Sequence, residues 1–244
     1  MLQVLSAYHD AALPVLALAA ISCIARVIHY RYFEVYFKLT FADAPVWSLL
    51  YFGAWTGVVW LAFPGEMSAL FGTISITGYV LLTFCLLGVF PFMYHVMRKR
   101  FGSPKWLAEL FPGQGMLTLE ERYIVAKIGD VIFQQSIAGG IVLFLAQAGA
   151  SYPAIVLTFI VLFAIAHLYI FRTAGFFWGM HYTMYAALAG FAFPFLILFV
   201  AGGIGYAIIL HMLFYVLSAA YFAKMPHPKN RQVLHDLHGM APAA

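Results

Sequence analysis

The chain has 244 residues, of which 64% are hydrophobic, 18% aromatic and only 9% charged, with a formal net charge of +4. A soluble domain carries about 25% charged residues, so this composition excludes a soluble enzyme, a disordered protein and a disulfide-stapled secreted scaffold. The small positive excess is no nucleic-acid footprint, because the basic residues gather at the ends of apolar runs.

Seven apolar runs are long enough to cross about 30 Å of hydrocarbon, which takes about 20 helical residues. They fall near 11–29, 45–63, 69–97, 122–148, 152–171, 175–199 and 203–223. Barrel strands would alternate with a period of two, whereas these runs are continuous, so helices are expected. The predicted fold is all-α: a polytopic transmembrane bundle forming one membrane domain over residues 1–244, with 224–244 as a cytoplasmic tail. No Lys or Arg precedes the first run, which therefore reads as a retained helix and not as a cleavable signal. Cys23 and Cys85 lie inside apolar runs and read as small buried hydrophobes.

Orientation follows from the thirteen Lys and Arg residues. Arg26, Arg31 and Lys38 flank the first connection, and Arg98, Lys99, Arg100, Lys105, Arg122 and Lys127 flank the third. Arg172 sits in the fifth, and Lys224, Lys229 and Arg231 follow the last run. The second, fourth and sixth connections hold none. The positive-inside rule then places the N-terminus outside and the C-terminus in the cytoplasm, in a plasma or inner membrane.

Between the runs, residues 30–44 mix aromatics with Arg31, Glu34 and Lys38 and are expected to lie along the interface as an amphipathic helix. Thr118 and Glu121 have the spacing of a capping box at the start of the fourth run, which gives Glu120 and Glu121 a structural role. Gly139-Gly140 and Gly202-Gly203-Gly205 are expected to allow close helix packing or a tight turn.

Polar groups inside the spans are expensive in lipid and are the first place to look for chemistry. They are Asp130, Gln134 and Gln135 on the fourth run, His167 on the fifth, His181 on the sixth and His211 on the seventh. Asp130 and Gln134 are four apart and share a helix face. At 1.5 Å per residue, Asp130, His167, His181 and His211 lie about 12, 6, 9 and 18 Å in from the cytoplasmic ends of their helices. Asp130, His167 and His181 fall in the inner half of the bilayer and His211 near its midplane, where imidazoles are natural partners for a buried carboxylate. Asp130, His167 and His211 are expected to converge on one cavity. His95 and His181 also fit interfacial or cross-helix roles, and His227, His235 and His238 read as a solvated tail.

The run VLFAIAHLYIF resembles the FxxxH motif of the CPBP family of CAAX-processing and bacteriocin-processing intramembrane proteases, with Phe163 and His167 at the motif positions. ILHMLFY presents His211 in a setting similar to that of the family's later histidine, with Tyr215 where the family has Asn or Asp. GDVIFQQ resembles the first motif in hydropathy, in Phe133 and in its place 37 residues before His167. Gly129 and Asp130 stand where the family has paired glutamates, and Gln134 stands where it has arginine. The resemblance covers residues 122–223 and implies a four-helix core with endopeptidase activity. The implied substrate is a membrane-embedded or prenylated peptide approached from the cytoplasmic side. Asp130 would take the water-activating position, His167 would assist, and His211 with Tyr215 would hold the oxyanion.

Read on their own chemistry, the same residues supply a carboxylate or imidazole base, a proton shuttle and hydroxyl or imidazole donors. Two alternatives stand beside hydrolysis. A non-catalytic bundle, surrounded by membrane lipid, would use the histidine pair as structural glue while binding a membrane peptide or a partner. A metalloprotein would use Asp130, His167 and His211, with His181 as a fourth ligand. The hydrolytic reading needs no cofactor.

Overall fold

A computed structural model describes residues 2–39, 41, 43–102, 119–168, 171 and 175–224. Helix α1 (Leu2–His29) runs directly into a π-helical stretch, Tyr30–Tyr36. This corrects the expectation of a separate interfacial helix over 30–44. The rings explain the continuation: His29 stacks on Phe33 and Phe41, with centroids 4.8 and 4.7 Å away. Phe33 and Phe41 therefore pack onto the end of α1, while Tyr30, Tyr32, Tyr36 and Phe37 stay exposed on its continuation.

Helix α2 (Pro45–Ala62) and the short α3 (Pro64–Phe71) both start with proline, whose fixed φ suits the first turn and whose missing N–H costs nothing there. The expected run 69–97 is divided. A turn after Phe71 ends α3, and Ser75 caps α4 (Ile76–Phe84) by accepting from the Gly78 N–H at 3.0 Å. A π turn, Cys85–Val89, carries α4 into α5 (Phe90–Phe101). Then follow α6 (Glu121–Gln147), α7 (Tyr152–His167), α8 (Gly175–Phe199) and α9 (Gly203–Ala223).

The start of α6 differs from expectation. Thr118 lies outside the described residues, and Glu120 occupies the N-cap with no side-chain capping bond. Glu121 is the first helical residue, and its carboxylate reaches His95 Nδ1 at 2.9 Å and Arg98 at 3.5 Å. It ties α6 to α5 where a capping box was expected.

Six helical stretches are long and apolar enough to cross a membrane: Ala11–Phe33, Pro45–Ala62, Ile76–Phe101, Glu121–Gln147, Gly179–Phe199 and Gly203–Ala223. The expected seventh span, 152–171, is represented by α7, which has 16 residues. At 1.5 Å per residue that is about 24 Å, short of the full hydrocarbon thickness. No strand occurs among the described residues. The protein is an all-α polytopic membrane protein.

Helix α6 is the centre of the bundle, packing against α1, α2, α3, α5, α7, α8 and α9. In its most apolar stretch 78% of residues are buried, against 11–22% for α1, α2, α4–α5 and α8, so the other helices turn most of their surface outward. That outer surface carries Leu, Ile, Val, Phe and Trp, as a lipid-facing shell requires. Close approach at α6 depends on glycine: a Cβ on Gly129 would sit 2.9 Å from the Leu49 carbonyl oxygen on α2. Gly202 holds a left-handed φ of +69° at the turn into α9. Cys23, expected to be buried, is exposed on α1, and Cys85 is half-buried; both are free thiols.

Candidate functional site

Asp130 is fully buried, nine residues into α6, and both its oxygens are engaged. Oδ1 accepts from the Arg26 guanidinium of α1 and from Gln134 Nε2 at 3.0 Å, while Oδ2 accepts from Lys127 Nζ at 2.8 Å. Spacing on α6 supplies two of these three partners, because residues three and four from Asp130 lie beside it on the same face. Lys127 is almost as buried as its partner, and its ammonium lies 3.9 Å from the Phe41 ring centroid, 5.2 Å from that of Tyr215 and 5.6 Å from that of Tyr123. Arg26 stands over Phe52 at 5.4 Å. A carboxylate is therefore held between two cations inside an aromatic cage, cross-linking α1 to the central helix.

A cavity of about 840 Å³ opens among α7, α8 and α9. His167, His181 and His211 all line it, with Phe163, Tyr215 and Ser218 among their neighbours. Its lining also includes Leu188 of α8 and Leu217 of α9, which are 57% and 62% exposed. The mouth thus lies on the outer surface between these two helices, where the bundle meets lipid. No Asp, Glu, Lys or Arg lines the cavity among the described residues.

The imidazoles have fixed partners. His167 Nδ1 lies 2.6 Å from the Phe163 carbonyl oxygen, one turn earlier on α7. A carbonyl only accepts, so the proton is on Nδ1 and the lone pair is on Nε2. His211 is different. Its Nδ1 lies 2.9 Å from Nε2 of the fully buried Gln135, whose Oε1 has no partner. An amide N–H only donates, so Nδ1 accepts from it and the His211 proton resides on Nε2. His211 also stacks on Tyr215, with centroids 5.6 Å apart and planes 10° from parallel. His181 sits lower on the α9 side, 3.4 Å from Ser218 Oγ and packed by Tyr185 at 4.8 Å and Phe222 at 5.3 Å.

The residues expected to form one site are thus arranged as two adjoining groups. His167, His181, His211 and Tyr215 line the cavity, whereas Asp130 and Gln134 belong to the ion network behind it. The two are coupled, because Asp130 lies within electrostatic reach of both His167 and His211. Tyr215 bridges them by stacking on His211 while its other ring contacts reach Tyr123 and Lys127. Among the described residues no three His, Cys, Asp or Glu side chains are grouped so as to hold a metal ion, so the proposed set Asp130, His167, His181 and His211 does not form a ligand cluster.

Sequence reading gave no site role to Arg26, Lys127, Gln135 or Ser218. Arg26 and Lys127 were counted as flanking charges, although Lys127 precedes Asp130 by three residues and Arg26 is embedded in ISCIARVIH. Those two positions carried the signal of a buried pair. Gln135 and Ser218 carried none beyond being polar in an apolar helix. The histidines His227, His235 and His238 lie outside the described residues. Comparison with protein-family models, curated proteins and solved structures finds no match.

Proposed function

We propose that this membrane protein receives an amphiphile dissolved in the bilayer, which enters between α8 and α9 and lies with its polar end among His167, His181 and His211. One observation carries the reading: three imidazoles from three helices line a single apolar cavity of about 840 Å³ whose mouth is flanked by lipid-exposed leucines. Small-molecule sites have this character, being about 300–1,000 Å³ with few polar groups in an apolar wall. Native mass spectrometry of the protein purified from its membrane tests the proposal. A bound lipid-like mass should be present on the wild type and lost when Ala189→Trp fills the cavity. Equal occupancy of the two proteins would contradict it.

A second, catalytic reading is favoured by the opposite tautomers of His167 and His211. In it the cavity is that of a CPBP-like intramembrane endopeptidase, and the substrate is a membrane-embedded or prenylated peptide. His167 Nε2 takes a proton from water, the hydroxide attacks the peptide carbonyl, and His211 Nε2–H donates to the oxyanion. The proton on His167 then passes to the leaving amine. Asp130 acts here as a positioning charge, since its oxygens are occupied by Arg26, Lys127 and Gln134. Cleavage of a labelled prenylated peptide by wild type, with loss in both His167→Ala and His211→Ala, would support hydrolysis. Cleavage unaffected by either substitution would remove it.

A further inference from the structure

We infer that the occupant of the α7–α9 cavity is an uncharged lipid alcohol, whose hydroxyl is shared between His167 and His211. The inference rests on the cavity reading above and adds the chemical class of the ligand.

Charge comes first. The lining contains histidine, tyrosine and serine as its polar groups and no formal charge among the described residues. A phosphate or carboxylate head drawn into such a wall would lose its hydration without gaining a cationic partner, which is costly in a low-dielectric site. The nearest cations, Lys127 and Arg26, are not lining residues and already hold Asp130. A neutral head is what the wall accepts.

Hydrogen bonding narrows the class further. His167 offers a lone pair at Nε2, because its Nδ1 proton is bonded to the Phe163 carbonyl. His211 offers a proton at Nε2, because its Nδ1 accepts from Gln135. Both rings line the same cavity, and Phe193 packs at 5.9 Å from the His211 ring and 6.4 Å from the Phe163 ring that touches His167. One atom satisfies both of these demands when it is a hydroxyl oxygen, which donates to the first ring and accepts from the second. An ester or ketone oxygen only accepts and would leave His167 unserved. A bare hydrocarbon would serve neither Nε2, leaving each ring with only its Nδ1 bond in an apolar wall.

The remainder of the cavity suits a chain. Phe163, Phe193, Phe214 and Leu213 supply apolar wall, and the mouth between Leu188 and Leu217 lets a tail extend into the surrounding acyl chains. Entry from the bilayer needs no passage of the hydroxyl through water.

The test is radiolabelled hexadecanol binding to the full-length protein in nanodiscs, competed by unlabelled hexadecanol, hexadecane or hexadecyl phosphate. Hexadecanol should compete at least tenfold better than either analogue. His167→Phe and Gln135→Leu should each reduce that preference several-fold. The first substitution removes the acceptor, and the second removes the amide that fixes the His211 tautomer without touching either ring. Nitrogen chemical shifts of the two imidazoles should also move on addition of hexadecanol.

Equal competition by hexadecane would overturn the hydroxyl assignment, and stronger competition by hexadecyl phosphate would overturn the neutral head. Failure to bind hexadecanol while a native lipid co-purifies would reject the alcohol and leave the cavity reading intact. Failure of both would reject both.

Discussion

Asp130→Asn is expected to act on stability before it acts on any chemistry. The amide keeps the shape of the carboxylate but removes the negative charge that Arg26 and Lys127 share. Asp130 is fully buried and the Lys127 side chain is 9% exposed, whereas that of Arg26 is 27% exposed and can recruit water. Removing one partner of a buried ion pair costs about 3–5 kcal/mol, and the partial exposure of Arg26 places this case near the lower end, about 3 kcal/mol. For a chain of this size about 3 kcal/mol corresponds to a fall in melting temperature of roughly 6–12 °C. Thermal unfolding in detergent micelles, followed by circular dichroism, measures it. A second substitution sharpens the test: Lys127→Met in the Asp130→Asn background should recover part of the loss, because it removes a buried ammonium deprived of its carboxylate. Melting of Asp130→Asn within 2 °C of wild type, or strict additivity with Lys127→Met, would refute the ion-network account.

Gly129→Ala should destabilise by about 1–3 kcal/mol in the same melting assay, because the added Cβ meets backbone of α2 that cannot swing aside. Glu121→Gln should cost less than about 1 kcal/mol, since its pairs with His95 and Arg98 are solvent-accessible. Reporter fusions should place the N-terminus outside and the C-terminus in the cytoplasm. The thirteen basic residues less Arg26 and Lys127 leave eleven that still fall on one side of the expected topology. Both termini on the same side would show that α7 does not cross.

Helices and their outward apolar faces were legible in the sequence because lipid imposes long uninterrupted hydrophobic runs. The boundary at Ser75 was less visible, since Thr73, Ser75 and Gly78 interrupt a stretch whose average hydropathy stays high. Among site residues, the shared cavity of His167 and His211 was legible from their motif-like positions and depth, whereas His181, which lines it too, reads in sequence as a cross-helix or interfacial residue. Partner choice for Asp130 could not. Depth pointed to an imidazole, and only the packing of α1 against α6 brings the Arg26 guanidinium to it instead. Only Gln134 has the i,i+4 relation to Asp130 that assigns it a partner in sequence, and Gln135 reads there simply as a polar group within the span. The neighbouring residue, 100° further round, faces His211.

The most direct test of the central claim is photo-crosslinking in nanodiscs with a diazirine-bearing single-chain amphiphile, followed by peptide mapping. Adducts should concentrate on the cavity lining, residues 181–193 of α8 and 210–222 of α9 with Phe163 and His167 of α7, and fall at least tenfold in Ala189→Trp. Labelling spread evenly over the lipid-facing surfaces of α1, α2 and α4, and unchanged by Ala189→Trp, would contradict the account.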